Sequence, residues 1–193
     1  MSKPFIFWNI PNSLTMLRIL LIPVFVGIFY LPTGAMPAHW VNVSATLIFT
    51  LAAITDWLDG YLARMLDQTS AFGAFLDPVA DKLMVVAAII LLVKFGRVDE
   101  ILALIIIGRE IAISALREWM AGVGERGSVA VAWLGKIKTA AQMAAIFFLL
   151  YYDPIGPINI KLIGEVLIII AAFLTLLSMA YYLKAAWPNM KAR

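Results

Sequence analysis

The sequence predicts an all-α, polytopic membrane protein with six transmembrane helices and a short interfacial segment at its N-terminus. Two observations carry this. Of 193 residues, 63% are hydrophobic and only 14% charged, and the mean hydropathy is +0.94. A soluble domain of this length is nearer half apolar and a quarter charged. Several apolar runs also reach the ~20 residues needed to cross a bilayer, leaving room for about six spans and short loops.

The elements follow in order. Ser2–Thr15 mixes polar residues with Phe5, Phe7 and Trp8, rings suited to an interface. Ile10-Pro11-Asn12-Ser13-Leu14-Thr15 opens the first span, which runs to about Leu31, and Pro32, Gly34 and Pro37 break it. The second span covers about Trp40–Arg64 and the third about Phe72–Lys94, with Asp67-Gln68-Thr69-Ser70 between them. A turn at Arg97–Glu100 precedes a fourth span over about Ile101–Ala121, interrupted at Gly108-Arg109-Glu110. Gly122–Ser128 is a glycine-rich loop, the fifth span covers about Ala130–Tyr151, and Asp153–Pro157 breaks the chain before a sixth over about Ile163–Ala186. There is no internal repeat, so residues 1–193 read as one integral membrane domain.

Several function classes drop out. The chain has no Cys, which removes disulfides and thiolate zinc sites. Its one His, His39, sits beside Trp40 after a Pro/Gly loop, where an interfacial position explains it better than catalysis. Met1–Ile10 lacks the pattern of a cleavable signal peptide, and nothing suggests a nucleic-acid partner. Basic residues are asymmetric. Lys3, Arg18, Arg64, Lys82, Arg109, Arg117, Arg126, Lys136, Lys138, Lys184, Lys191 and Arg193 fall on one side of the expected topology, against Lys94, Arg97 and Lys161 on the other. The excess of Lys and Arg marks the cytoplasmic side and puts both termini there.

The chemistry concentrates between Asp56 and Lys82. Asp56 and Asp59 are three apart near the end of the second span, and Asp77 and Asp81 are four apart near the start of the third. Each pair projects from one helical face, and the polar break between them can fold the two helices back on each other. Four carboxylates so placed repel unless protons or cations neutralise them. Hard oxygen ligands suit Mg²⁺ or Mn²⁺, and two ions are expected. The plainer reading makes Asp67 a loop acid and Asp77 an N-cap before Pro78, but capping does not account for all four acids. The cluster lies toward the cytoplasmic interface, whereas a transporter would place its ion site midway through the bilayer.

The pattern D-x-x-D-G-x-x-A-R, eight residues, then G-x-x-x-D-x-x-x-D is met by Asp56, Asp59, Gly60, Ala63, Arg64, Gly73, Asp77 and Asp81. It resembles the signature of the CDP-alcohol phosphotransferases. The stretches Asn9–Thr15, Phe72–Lys82, Arg109–Met120 and Gly135–Thr139 are similar to the branch of that family that makes phosphatidylglycerol phosphate in bacteria. The resemblance implies a six-helix enzyme of the bacterial inner membrane with its site facing the cytoplasm. It would transfer the phosphatidyl group of CDP-diacylglycerol to the primary hydroxyl of glycerol 3-phosphate and release CMP. Homodimers are common in the family, which is the sole basis for expecting one. Other readings are a transferase with another acceptor (serine, inositol phosphate or phosphatidylglycerol) and a divalent-cation transporter.

The resemblance implies roles residue by residue. A two-metal clamp would be held by Asp56, Asp59 and Asp77, with Asp81 as general base and a second contact to metal. Gly60 and Ala63 are small either for close helix packing or to let the nucleotide approach. Arg64 offers a planar fork to the pyrophosphate or acts as a topological anchor. Asn12, Thr15 and Ser70 are expected at the CMP moiety, each with helix capping as the alternative. Arg109, Arg117, Lys136 and Lys138 are expected to bind the acceptor phosphate, with Glu110 and Glu118 as competing ion-pair partners. Lys136 and Lys138 are two apart and cannot share a helical face. Either the helix begins between them or only one reaches the site.

Overall fold

A computed structural model of the chain describes residues 10–32, 34–65, 71–122 and 129–191. These form six α-helices: α1 (Ile10–Ile28), α2 (Ala38–Met65), α3 (Ala71–Lys94), α4 (Glu100–Gly122), α5 (Val129–Tyr151) and α6 (Ile160–Lys191). Among the described residues the only β-pairing is an isolated bridge between Ile155 and Ile158. The chain divides into two compact units, Met1–Leu91 and Leu92–Arg193, each taken by itself below.

In the first unit α1 packs against α2. The inner face of α1 is read by threes and sevens: Asn12, Thr15, Arg18 and Phe25 are all buried, the spacing of one helical stripe. The answering face of α2 carries Asn42, Ala45, Phe49, Ala52 and Asp59, also buried. Phe25 and Phe49 meet with ring centroids 6.5 Å apart, and Ala45 and Ala52 let the backbones approach. Thr46, Thr50 and Thr55 satisfy their hydroxyls on carbonyls one turn back, the answer to a polar side chain in an apolar helix. One helical face of α2 therefore runs from an apolar core into the acids.

In the second unit α6 packs on both α5 and α4. Gly164 permits the closest approach: a Cβ built there would lie 2.7 Å from Leu149 Cγ. Gly164→Ala is therefore expected to force α5 and α6 apart and lower the melting temperature. Loop polar groups set the ends. Gly96, at φ +64°, closes α3, with Arg97 N–H bonded to the Leu92 carbonyl, a glycine C-terminal cap. Asp99 Oδ1 accepts from Ile101 N–H at 2.8 Å and Asn159 Oδ1 from Leu162 N–H at 3.1 Å, capping α4 and α6. Arg97 Nη1 donates to the Leu149 and Leu150 carbonyls, both at 3.0 Å, placing a cation where the α5 dipole is negative.

The six expected helices are present, with corrections at their ends. α6 starts at Ile160 because Asn159 caps it there, and it runs five residues past Ala186. α1 closes at Ile28, after which the backbone N–H groups of Phe29, Tyr30 and Leu31 bond three residues back. α4 passes through Gly108–Glu110 without interruption. α3 begins at Ala71, so Asp77 and Pro78 lie inside it and Asp77 is not an N-cap. Likewise Asn12 and Thr15 lie within α1 and are not its cap. The expected interfacial segment before Ile10, the Asp67–Ser70 break and most of the glycine-rich loop lie outside the described residues.

Two helices are long and apolar enough to cross a bilayer, over Ala38–Leu62 and Ile160–Lys184, and α1 adds a shorter apolar stretch, Asn12–Ile28. The remaining three have charges set into their apolar runs: Asp77, Asp81 and Lys82 in α3, Arg109, Glu110, Arg117 and Glu118 in α4, and Lys136 and Lys138 in α5. Outward faces are apolar where a water-soluble protein would be charged, as at Leu47, Leu51, Ile54, Val166, Ile169 and Phe173.

Candidate functional site

The first unit gathers three of the four predicted acids. Asp56 and Asp59 project from successive turns of α2 onto α1, where Arg18 spans them. Arg18 Nη1 lies 2.6 Å from Asp56 Oδ1, and Nη2 donates to Asp59 Oδ2. Thr15, one turn before Arg18, donates its hydroxyl to Asp77 Oδ1 at 2.5 Å and stands 3.3 Å from Asp59 Oδ2. A hydroxyl has one proton, and the shorter contact to Asp77 takes it. Thr15 thus ties α1 to the α3 acid, with Asp59 beside it. Arg18 is 1% exposed and Asp59 4%, whereas Asp56 is 45% exposed. The cluster has a buried side closed by the guanidinium and a side open at Asp56.

Ionised, three carboxylates exceed one guanidinium by two negative charges, and that excess suits a divalent cation. The donor chemistry also fits, being all hard oxygen. The arrangement is the exception: among the described residues no group of three acidic or histidine side chains is gathered closely enough to hold a metal ion. Arg18 bonds one oxygen of Asp56 and one of Asp59. Asp81, one turn beyond Asp77 on α3, is exposed.

The remaining donor-site expectations divide. Thr15 is turned into the aspartates, so its described contacts are to carboxylates. Asn12 is buried one turn earlier on the same stripe of α1. At Gly60 an added Cβ would meet no described atom within 4 Å. Ser70 lies outside the described residues, as do the side chains of Ala63 and Arg64.

The second unit has its own charged cluster. Glu110 Oε2 accepts from Lys138 Nζ at 2.8 Å and from Arg109 Nη1 at 3.2 Å. Arg109 Nη2 donates to Ser178 Oγ at 3.2 Å on α6, and its guanidinium lies 5.9 Å from the Tyr182 ring centre. Both cations are buried, Arg109 at 5% and Lys138 at 2% exposure, around a half-buried carboxylate. Among the described residues Arg109 Nε has no hydrogen-bond partner. Two buried cations thus meet, among the described residues, at one carboxylate. Of the expected acceptor-phosphate set, Arg109 and Lys138 come together. Lys136 does not: α5 begins at Val129, so both lysines are helical, and Lys136 is exposed. The Arg117 side chain lies outside the described residues.

Sequence reasoning missed Arg18 and Ser178. In the sequence Arg18 reads as a topological anchor, although its spacing from Asn12 and Thr15 marks one helical stripe. Ser178 carries no sequence signal, because nothing in an apolar run says which serine meets a cation.

The chain matches the family model for CDP-alcohol phosphatidyltransferase over residues 8–177. It is similar to the CDP-diacylglycerol–glycerol-3-phosphate 3-phosphatidyltransferase of Pseudomonas fluorescens, 52% identical over 187 residues, covering 95% of this chain and 92% of that enzyme. The enzyme of the same name from Escherichia coli (strain K12) is 50% identical over 185 residues, covering 95% of this chain and 97% of that one. Its counterpart from Yersinia enterocolitica is 50% identical over 184 residues, with 94% and 97% covered.

Proposed function

The chain belongs to the CDP-alcohol phosphatidyltransferase family, and from that premise we propose that it transfers the phosphatidyl group of CDP-diacylglycerol to glycerol 3-phosphate, giving phosphatidylglycerol phosphate and CMP. The observation that carries the reading is the half-identity, over nearly the whole length of both chains, to enzymes named for that reaction. Enzymes of this family generally use divalent metal ions. Here Asp56, Asp59 and Asp77 would hold Mg²⁺ or Mn²⁺, and two bound ions would supply charge stabilisation for the attacking and leaving oxygens.

The chain's own residues do the rest. Asp81, exposed and one turn from Asp77, takes the proton of the acceptor's primary hydroxyl as that oxygen attacks the lipid-linked phosphorus. The bond from that phosphorus to the CMP oxygen breaks, and CMP leaves with the electron pair. Gly60 leaves its face of α2 open to the nucleotide, and Arg64 supplies a fork to the pyrophosphate. Asn12 and Ser70 border the CMP moiety. Arg109 and Lys138 bind the acceptor phosphate, with Arg117 as a third cation. That buried positive charge favours a phosphorylated acceptor over serine. The reading takes residues 1–193 as one catalytic domain, with a homodimer as its assembly.

The decisive assay uses the purified protein in detergent. CMP release from CDP-diacylglycerol should require glycerol 3-phosphate, vanish in excess EDTA and return with Mg²⁺ or Mn²⁺. Release with serine in place of glycerol 3-phosphate would reassign the acceptor, and full turnover in EDTA would remove the metals.

The same reading puts six spans across the bacterial inner membrane, with both termini and the acids on the cytoplasmic side. It is supported by the bias of Lys and Arg along the chain. Reporter fusions in the loop between Leu31 and Trp40 should report the outer side of the membrane, and a cytoplasmic signal there would invert the topology.

A further inference from the structure

Arg18 is the least expected member of the aspartate cluster, and its environment is unusual in three ways. It is 1% exposed and is the one charged side chain of α1. Its two terminal nitrogens bond two different carboxylates three residues apart, Asp56 and Asp59, and its Nε has no hydrogen-bond partner among the described residues. A guanidinium so buried is held by its carboxylates, since a buried charge without partners is strongly unfavourable. Conversely, Asp59 at 4% exposure needs a cation beside it. The pair is mutually required, and the fork geometry that suits it belongs to arginine rather than lysine.

Those bonds take up carboxylate oxygens that Asp56 and Asp59 would offer to a metal ion. We propose that Arg18 is the resident counter-cation of this cluster, and that a divalent ion enters by displacing its guanidinium from Asp56 and Asp59. The inference rests on the metal-assisted reading above. Its consequence is thermodynamic: metal and guanidinium compete for the same oxygens, so each weakens the other's hold, and the coupling is reciprocal. Arg18 keeps the acids assembled before loading and lowers metal affinity as the cost.

The test is Mn²⁺ titration of the full-length protein in detergent, following loss of the free-ion EPR signal, for the parent, Arg18→Met and Arg18→Lys. Methionine keeps an unbranched chain and removes the charge. Arg18→Met should bind its first Mn²⁺ on the order of 10- to 100-fold more tightly, in the range usual for coupled sites. Its metal-free form should melt lower and gain more on Mn²⁺ addition than the parent does. Arg18→Lys, a point charge unable to span both acids, should fall between. Equal or weaker Mn²⁺ binding by Arg18→Met overturns the proposal and makes Arg18 a support for the ligands. If Arg18→Met folds only with metal present, it is purified with Mn²⁺ and its release to excess EDTA is timed. Release slower than from the parent supports displacement, and equal or faster release overturns it. A parent that binds no Mn²⁺ removes the metal-assisted reading and this inference together, whereas a parent that binds while Arg18→Met gains nothing removes only this one.

Discussion

Asp81→Asn should leave CDP-diacylglycerol binding and bound metal near their parent values while lowering kcat by ~10²–10⁴-fold, the usual contribution of a positioned base. Asparagine keeps the volume and one oxygen but has no basic carboxylate. Asp56→Asn and Asp77→Asn should act differently, losing metal and with it binding of the pyrophosphate donor. The structure gives the contrast a basis. Asp56, Asp59 and Asp77 are tied to α1 through Arg18 and Thr15, and Asp81 is exposed. Measuring kcat, KM for each substrate and bound metal across the set separates the roles. If Asp81→Asn lost metal as badly as Asp56→Asn, Asp81 would be an ordinary ligand.

The helices were legible because each apolar run is bounded by charge or by Gly and Pro, and the bilayer leaves few other folds for such runs. Their ends were less so. Asn159 and Asp99 shift the starts of α6 and α4 by capping, and a cap depends on one side-chain rotamer that composition does not fix. Asp77-Pro78 has the sequence form of a helix start yet lies within α3. The acids stood out because four carboxylates in apolar helices have no bland explanation at that spacing. Arg18 did not, because an arginine in an apolar run is what topology also predicts. Only its partner on another helix distinguishes a cluster cation from an anchor, and pairing across 38 residues is a tertiary fact. The lysine pair shows the opposite case: two residues of separation already allowed only one of them inward, and α5 turns Lys138 in and Lys136 out.

The acceptor cluster yields the second large effect. Arg109→Ala and Lys138→Met should each raise KM for glycerol 3-phosphate by roughly 10- to 100-fold, the equivalent of one charge-assisted hydrogen bond. A remote phosphate contact supplies binding common to ground and transition states, so kcat should change far less. Lys136→Met should leave the acceptor KM unchanged, because that side chain is exposed while Lys138 two residues on is buried. Glu110→Gln should move KM the other way. Its carboxylate now takes both cations, at 2.8 Å from Lys138 and 3.2 Å from Arg109, so a neutral side chain there leaves more of their charge for the phosphate. Opposite signs from neighbouring residues cannot come from general loss of structure, which would impair all four variants alike. The measurement is acceptor KM and kcat at saturating CDP-diacylglycerol, with melting temperature alongside. If Arg109→Ala and Lys138→Met lowered the melting temperature and left acceptor KM untouched, the two cations would be structural partners of Glu110, and the acceptor phosphate would bind elsewhere.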